Sequence, residues 1–448
     1  MAKRSALGPF LGVVCALAVT VRAAGAVRVC RSAGADVLAD NTGVTPVSQA
    51  FQKCVSDPSV TLIDLPPGNY LVDTPIRINN RSDLTIRTYG LSANTKNCQQ
   101  LPAGACARFV ASADAAACIN DPMHKCGGVD VQGGMVQANN VKRVKFEHLI
   151  FDGNRANRQG SQVKLLCAGG TNRYGFNSRM VCEAATQADH CEYVYNYTEN
   201  ALCGTGLEFG GKYGRIQGNA AFNNGVHLHG LWADGLTISH DDGGIISDNH
   251  LYNNTDVGLI VGSAATTADG VAAKIQSNWI EQNNMFAFAG LMLGNFCEAG
   301  GATFQKGDYT GASIRLNTIN CHAFWCGFGI NLGADPWIAD TKECTNVFGG
   351  TITQNSINGA RVLLNFGGAG TRVAKVTAQQ NTLTNPPTMA MSVAGPNTTS
   401  ACQAVKNVLM NLPNNNPPIA NDDPCGNFAV VDAIPASAEC FKNCFAGQ

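Results

Sequence analysis

Charge is scarce in this 448-residue chain: Asp, Glu, Lys and Arg make up 14% of it, and the formal net charge is -1. No basic field is available to hold nucleic acid, and no polybasic segment to hold a membrane surface. A balanced total still permits a local Lys/Arg groove, so an acidic ligand is not excluded. Long apolar runs are missing too. Beyond the N-terminus nothing approaches the ~18 uninterrupted apolar residues of a membrane span. The cysteines show no Cys-x2-Cys pair, which removes the usual zinc framework. The expected partners therefore include neither nucleic acid nor membrane, and no metal centre is expected.

What is present begins with Lys3 and Arg4, an apolar stretch from Phe10 to Val21, and the small residues Ala24-Gly25-Ala26. That order reads as a cleaved secretory signal over residues 1–26 and predicts a secreted, exported protein. Of 19 cysteines, Cys15 lies in the signal. The rest fall in even clusters: Cys30 and Cys54; Cys98, Cys106, Cys118 and Cys126; Cys167, Cys182, Cys191 and Cys203; Cys297, Cys321, Cys326 and Cys344; Cys402, Cys425, Cys440 and Cys444. In an exported chain this predicts local disulfides that staple loops. Asn80, Asn196, Asn253 and Asn397 sit in glycosylation sequons.

An asparagine returns through the chain in "IQGNAAFNN", "ISDNHLYNN", "IQSNWIEQN", "IRLNTINCH", "ITQNSINGA" and "AQQNTLTNP", at Asn219, Asn249, Asn278, Asn317, Asn355 and Asn381. The first five have Ile three residues before the Asn, and all six have an apolar residue two after it. This is one unit repeated at unequal intervals, so the insertions are loops. Each unit carries short β runs such as "GLTI", "GLIV" and "GLML" between Gly, Asn and Asp turns. A single unit cannot bury its apolar side alone. Stacked units can, as in a solenoid, and an Asn at the same bend of each turn can then bond to the next Asn as a ladder.

Ahead of the repeats, "TPVSQAFQKCV" offers Thr45 as an N-cap, Pro46 at the first helical position, and Val47, Ala50, Phe51, Cys54 and Val55 on one face. This predicts a short amphipathic helix that closes the open end. Helix, then "LPPGNYLV", then Asn-punctuated coils resembles the pectate-lyase-like superfamily of right-handed parallel β-helices, over roughly residues 35 to 385. The resemblance implies an all-β fold, a single-stranded parallel β-helix with an N-terminal capping helix. The expected organisation is a signal (1–26), an N-terminal cap (27–64), the β-helix with Cys-rich loop insertions (65–385) and a Cys-rich C-terminal cap (386–448). The resemblance implies a polysaccharide, possibly acidic, as partner, and a monomer is expected.

The acidic stretch "WADGLTISHDDGGIISDNHLYNNTDVGLIVG" carries the candidate chemistry. Asp234 and Asp256 are 22 residues apart, close to one β-helical turn, so they are expected to stack on adjacent turns. Stacked carboxylates repel, which raises one pKa and suits an acid paired with a base or nucleophile. Asp242 and His240 are the further catalytic candidates. Trp232 offers a sugar an apolar stacking face, and His229, Arg155 and Asp241 complete the expected substrate contacts. His227 and His229 share a face if "GVHLHG" is a strand, without a third metal ligand. Asp152, Arg155 and Arg158 stand at a coil end where a guanidinium can meet an anionic sugar. Glu298, Asp335 and Trp337 fall in inserted loops. No cofactor is required, although Asp241, Asp242 and Asp256 could hold calcium. The motifs of polygalacturonase-like hydrolases and of alginate epimerases are incomplete or absent. The expected activity is therefore glycosidic bond cleavage by paired aspartates, with polysaccharide lyase or uronate C5-epimerase as alternatives. A non-catalytic carbohydrate-binding or surface β-helix is the reading from a different class.

Overall fold

Runs of three to ten β residues separated by tight corners cannot pair within one repeat, so each finds its partner one repeat away. The computed structural model describes residues 25–394 apart from 93–95, 114–124, 127–128, 131–133, 158–176, 184–189, 203, 227–231, 265–271, 297–306, 323–324, 333–346, 368–372, 375 and 386–388. Within the described residues three long parallel sheets form. Sheet 1 has ten strands, from Ile76–Asn79 to Met389–Ala394; sheet 2 has ten, from Leu62–Leu65 to Thr377–Gln379; sheet 3 has eleven, from Thr42–Pro46 to Thr382–Thr384. The chain visits them in turn. Ala233–Asp242 lies in sheet 1, Ile245–Ser247 in sheet 2 and His250–Tyr252 in sheet 3, before Val257–Ala264 returns to sheet 1 beside its predecessor. This is a right-handed single-stranded parallel β-helix, the hand that parallel crossovers take.

The repeat residues fill the interior. Ile216, Ile246, Ile275, Ile314 and Ile352, three before the asparagines, are fully buried, as are Ala221, Leu251, Ile280, Ile319 and Ile357 two after them. Each such Ile or Leu contributes roughly 1.5–3 kcal/mol by leaving water. Between them the corner from sheet 2 to sheet 3 has one geometry throughout. A left-handed residue comes first: Tyr195, Gly218, Asp248, Ser277, Leu316, Gln354 and Gln380 have φ of 59°, 67°, 57°, 56°, 57°, 58° and 55°. The ladder Asn follows. Asn196, Asn219, Asn249, Asn278, Asn317, Asn355 and Asn381 are buried, and each Nδ2 donates to the Oδ1 of the next at 2.9–3.1 Å. The same Oδ1 also accepts the backbone N–H of the preceding Asn, as Asn249 does from Asn219 at 2.9 Å. The ladder thus satisfies backbone groups that the tight corner would orphan. It reaches one coil further than the repeat suggests, to Asn196. A second, shorter ladder joins Asn224 Nδ2 to Asn254 Oδ1 at 3.0 Å.

Burial bears on the sequons: Asn196 and Asn253 are both sealed in the interior, whereas Asn80 is exposed and Asn397 lies outside the described residues.

Helix α1 spans Ser48–Ser56 and buries Ser48, Phe51, Cys54 and Val55 at the first coil. Phe51 packs edge-on against Tyr70 and Phe109, with ring centroids 5.7 and 5.1 Å apart. The N-cap is not Thr45. Thr45 and Pro46 belong to the strand Thr42–Pro46, and the helix opens after Val47 without a side-chain cap. The reason is a competing acceptor. Asp40 takes the N–H groups of Thr42, Val44 and Thr45 at 3.0, 3.0 and 2.7 Å and holds this stretch extended. Disulfides Cys30–Cys54, Cys98–Cys106 and Cys321–Cys326 each join members of one sequence cluster, while Cys191 is a free thiol buried in the core. At the other end Met389–Ala394 pairs in parallel with Val362–Gly367, so coil structure continues past Pro386 and Pro387.

Candidate functional site

Asp234 opens the sheet 1 strand Ala233–Asp242 just before Gly235. That glycine is set by close approach: a Cβ there would stand 2.6 Å from the carbonyl oxygen of Gly258 on the next coil. Gly258 meets Gly290 in the same way at 2.6 Å. Asp-Gly here marks entry to a strand, not a turn. The carboxylate of Asp234 accepts two hydrogen bonds, from the amide of Val257 to Oδ1 at 3.0 Å and from the hydroxyl of Thr237 to Oδ2 at 2.8 Å.

Asp256 does not stack on Asp234. The two strands pair Leu236 with Leu259 and Thr237 with Ile260, an offset that places Asp234 level with Val257 and Asp256 level with Ala233. The Asp256 amide accordingly donates to the Ala233 carbonyl at 3.2 Å, and its carbonyl accepts from Phe288 at 2.6 Å. This coil is one residue longer than the spacing of the two aspartates, and one residue is the whole alternation of a strand. The carboxylates therefore lie on adjacent coils, displaced by one step. Both are half-buried.

His240, Asp241 and Asp242 close the strand that Asp234 opens. Eight residues at ~3.3 Å each separate Asp242 from Asp234, roughly 25 Å along the strand, and Asp242 pairs with Lys212. The three thus stand at the opposite end of this strand from Asp234. Among the described residues no group of three or more His, Cys, Asp or Glu side chains is placed to hold a metal ion. Trp232 is half-buried immediately before the strand, its carbonyl accepting from Gly204 at 2.8 Å. His227, His229, Arg158, Glu298, Asp335 and Trp337 lie outside the described residues.

Arg155 turns inward. It sits in a short 3-10 turn, Arg155–Asn157, and its Nη1 donates to the carbonyls of Ala201, Asn223 and Gly225 at 3.3, 2.8 and 2.6 Å. Burial lowers its pKa, opposed in part by Asp152. The guanidinium closes the backbone of two later coils, a use that the motif "FDGNRANR" does not disclose.

Two acids, Glu208 and Glu199, were not singled out by the sequence pattern. Glu208 pairs with Thr237, the residue whose hydroxyl holds Asp234, so Glu208, Asp234 and Asp256 occupy three successive coils of sheet 1. Alternation along "TGLEF", with Leu207 and Phe209 inward, would have put Glu208 outward. On sheet 3, Asp152 and Glu199 are register partners that share Arg108. Arg108 Nη1 meets Asp152 at 2.8 Å and also Glu199, whose other oxygen accepts from the Tyr197 hydroxyl at 2.5 Å. Burial works against the charged form of Arg108, yet Glu199 and Asp152 raise its pKa overall.

No protein-family model matches the chain, and no curated protein is similar to it in sequence. Solved structures do resemble it. Endo-xylogalacturonan hydrolase from Aspergillus tubingensis matches 81% of this chain and 95% of its own, at 13% identity and a TM-score of 0.48. The Dettilon tailspike protein matches 80% of this chain at 14% identity and a TM-score of 0.44, and this chain spans only 62% of the tailspike's length. PfbA, a surface adhesin of Streptococcus pneumoniae, matches 80% of this chain and 88% of its own, at 9% identity and a TM-score of 0.38. With three parallel sheets visited in turn, an asparagine ladder and a helix over the first coil, the protein has a right-handed parallel β-helix fold.

Proposed function

We propose that the protein is exported and acts on a polysaccharide, cleaving a glycosidic bond at the start of the sheet 1 strands, where Asp234 and Asp256 stand. The supporting observation is that Glu208, Asp234 and Asp256 lie on three consecutive coils of one sheet, with the Asp234 carboxylate immobilised by an amide and a hydroxyl. Two accepted hydrogen bonds favour the ionised form of a carboxylate, so Asp234 is assigned the nucleophile or base role. Asp256 is assigned the proton donor, Glu208 the flanking charge and Trp232 the stacking surface. The spacing of the reacting carboxyls decides between direct attack and an activated water.

Incubation of the purified protein with a polysaccharide panel tests this, scored for new reducing ends and for ultraviolet absorbance of unsaturated sugars. Reducing ends alone support hydrolysis. Both signals together indicate a lyase, and proton exchange at C5 without cleavage indicates an epimerase; either would replace the hydrolytic assignment. One observation favours a second reading, a non-catalytic binding protein: both Asp234 oxygens already have partners in the fold, as a purely structural staple would. No reaction on any polysaccharide would favour that reading.

A further inference from the structure

Sheet 3 turns a different face outward. In each three-residue strand the central side chain enters the core and the two flanking ones face out. Register aligns His250 with Trp279, and Phe222, Tyr252 and Glu281 in the neighbouring row. Upstream this face is covered. The segment stapled by Cys98–Cys106 packs over Ile150, Tyr197 and Ala220 and is tied down by Asn97 Nδ2 donating to the Gly218 carbonyl at 3.0 Å. Among the described residues the cover stops there, and Trp279 is 50% exposed.

Trp279 is held by a polar chain. Its indole Nε1 donates to Glu281 Oε2 at 3.1 Å; His322 Nε2 donates to Glu281 Oε1 at 2.9 Å; and Asn320 Oδ1 accepts from the His322 amide at 3.4 Å and from Asn358 Nδ2 at 2.9 Å. On the other side the His250 ring packs edge-on between Phe222, at 4.8 Å, and Trp279, at 6.1 Å. Burial lowers the His250 pKa against the pull of Glu281, which favours the neutral ring. The indole is half-exposed yet fixed at its edge, so it is held in place without being sealed in the core. Preorganisation of this kind serves recognition.

We propose that this face is a glycan-binding platform, with Trp279 stacking on the C–H face of a neutral pyranose and Glu281, His322 and Asn320 meeting its hydroxyls. The charges on the face select the ligand. Among the described residues Glu281 is matched by one histidine and by no Lys or Arg, so a polyuronate would meet a carboxylate without a compensating cation. An apolar peptide would desolvate the Glu281–His322 pair without replacing its water. A hydroxyl-rich ring satisfies both requirements: it covers the indole and bonds to the carboxylate. The platform lies on a different sheet from Asp234 and shares with the proposed activity only the premise that the ligand is a glycan.

Affinity electrophoresis in gels containing xyloglucan, galactomannan, mixed-linkage glucan or polygalacturonate tests this, with tryptophan fluorescence titration against the soluble oligosaccharides. Retardation by at least one neutral glycan, at least tenfold weaker in Trp279→Ala and partly kept in Trp279→Phe, is the expected result. Glu281→Gln and His322→Ala should weaken it severalfold at an unchanged thermal midpoint, which keeps the test open if Trp279→Ala folds poorly. Asp234→Asn should bind as wild type. No retardation by any neutral glycan, retardation by polygalacturonate alone, or full binding by Trp279→Ala would overturn the platform. Loss of turnover in Asp234→Asn with binding kept, or the converse in Trp279→Ala, separates failure of one proposal from failure of the other.

Discussion

The amide of Val257 donates to Oδ1 of Asp234 at 3.0 Å, so one carboxylate ties together two coils of sheet 1 at the place proposed for chemistry. Asn keeps an acceptor oxygen for that amide, but it cannot ionise. Asp234→Asn is expected to keep a thermal midpoint near wild type while turnover falls ~10²- to 10⁴-fold, the usual loss on removing an acid/base group. Asp234→Ala should also lose about 1–3 kcal/mol by leaving the amide without its partner. Turnover and melting measured on both variants check this, and Asp234→Asn with full activity would move Asp234 to a structural role.

The ladder makes a prediction about stability alone. Asn278 donates to the Ile246 carbonyl at 3.0 Å and to Asn317 Oδ1 at 2.9 Å, and it accepts from Asn249. Asn278→Ala should cost about 3 kcal/mol in denaturant unfolding. Turnover per folded molecule should be unchanged, as should glycan affinity.

Arg155→Ala distinguishes an inward from an outward role. Charged hydrogen bonds contribute roughly 1.5–3 kcal/mol, and Arg155 alone serves three carbonyls on two coils. The variant should unfold at lower denaturant concentration yet bind polygalacturonate no differently from wild type. A selective loss of polyuronate affinity at unchanged stability would restore the substrate contact expected from the sequence.

Acid sensitivity is expected at the N-terminal cap. The Thr45 amide, opposed by some desolvation and helped by Thr42 and Val44, lowers the Asp40 pKa from 3.8 to about 2. A depressed folded-state pKa means stabilisation that is complete above the unfolded value and disappears as pH falls through the folded one. The midpoint difference between wild type and Asp40→Asn should therefore shrink between pH 4 and about 2 and stay constant above pH 5. A difference that instead grows on acidification would contradict the hydrogen bonding described for Asp40.

Much of the candidate chemistry was readable in principle. Aligning "DGLTI" with "VGLIV" on their Gly-Leu pairs, rather than on their aspartates, places Asp234 opposite Val257, as the strands do. The sheet 3 platform follows from the ladder as well: the residues one and three after each Asn flank a buried one, which singles out His250 and Tyr252, Trp279 and Glu281. The inward turn of Arg155 had no such signal, because its partners are carbonyls that every residue carries.

By itself the sequence determined the β-helix. Ile three before and an apolar residue two after a recurrent Asn leave one way to bury both and satisfy the amide, which is to stack the repeats. Local pattern was enough because each coil repeats the same three contacts. Only the tertiary structure decided the register of each coil, the left-handed residue at each corner and the start of α1. Leu316 or Gln354 at positive φ carries no local signature, and the ladder bonds that hold it there come from other coils. Thr45 is a good N-cap by local rules, but Asp40 claims its amide from the preceding strand. Where a residue's partner is its sequence neighbour or its repeat, the pattern shows it; where the partner is a backbone group brought near by the winding of the coil, only the winding can.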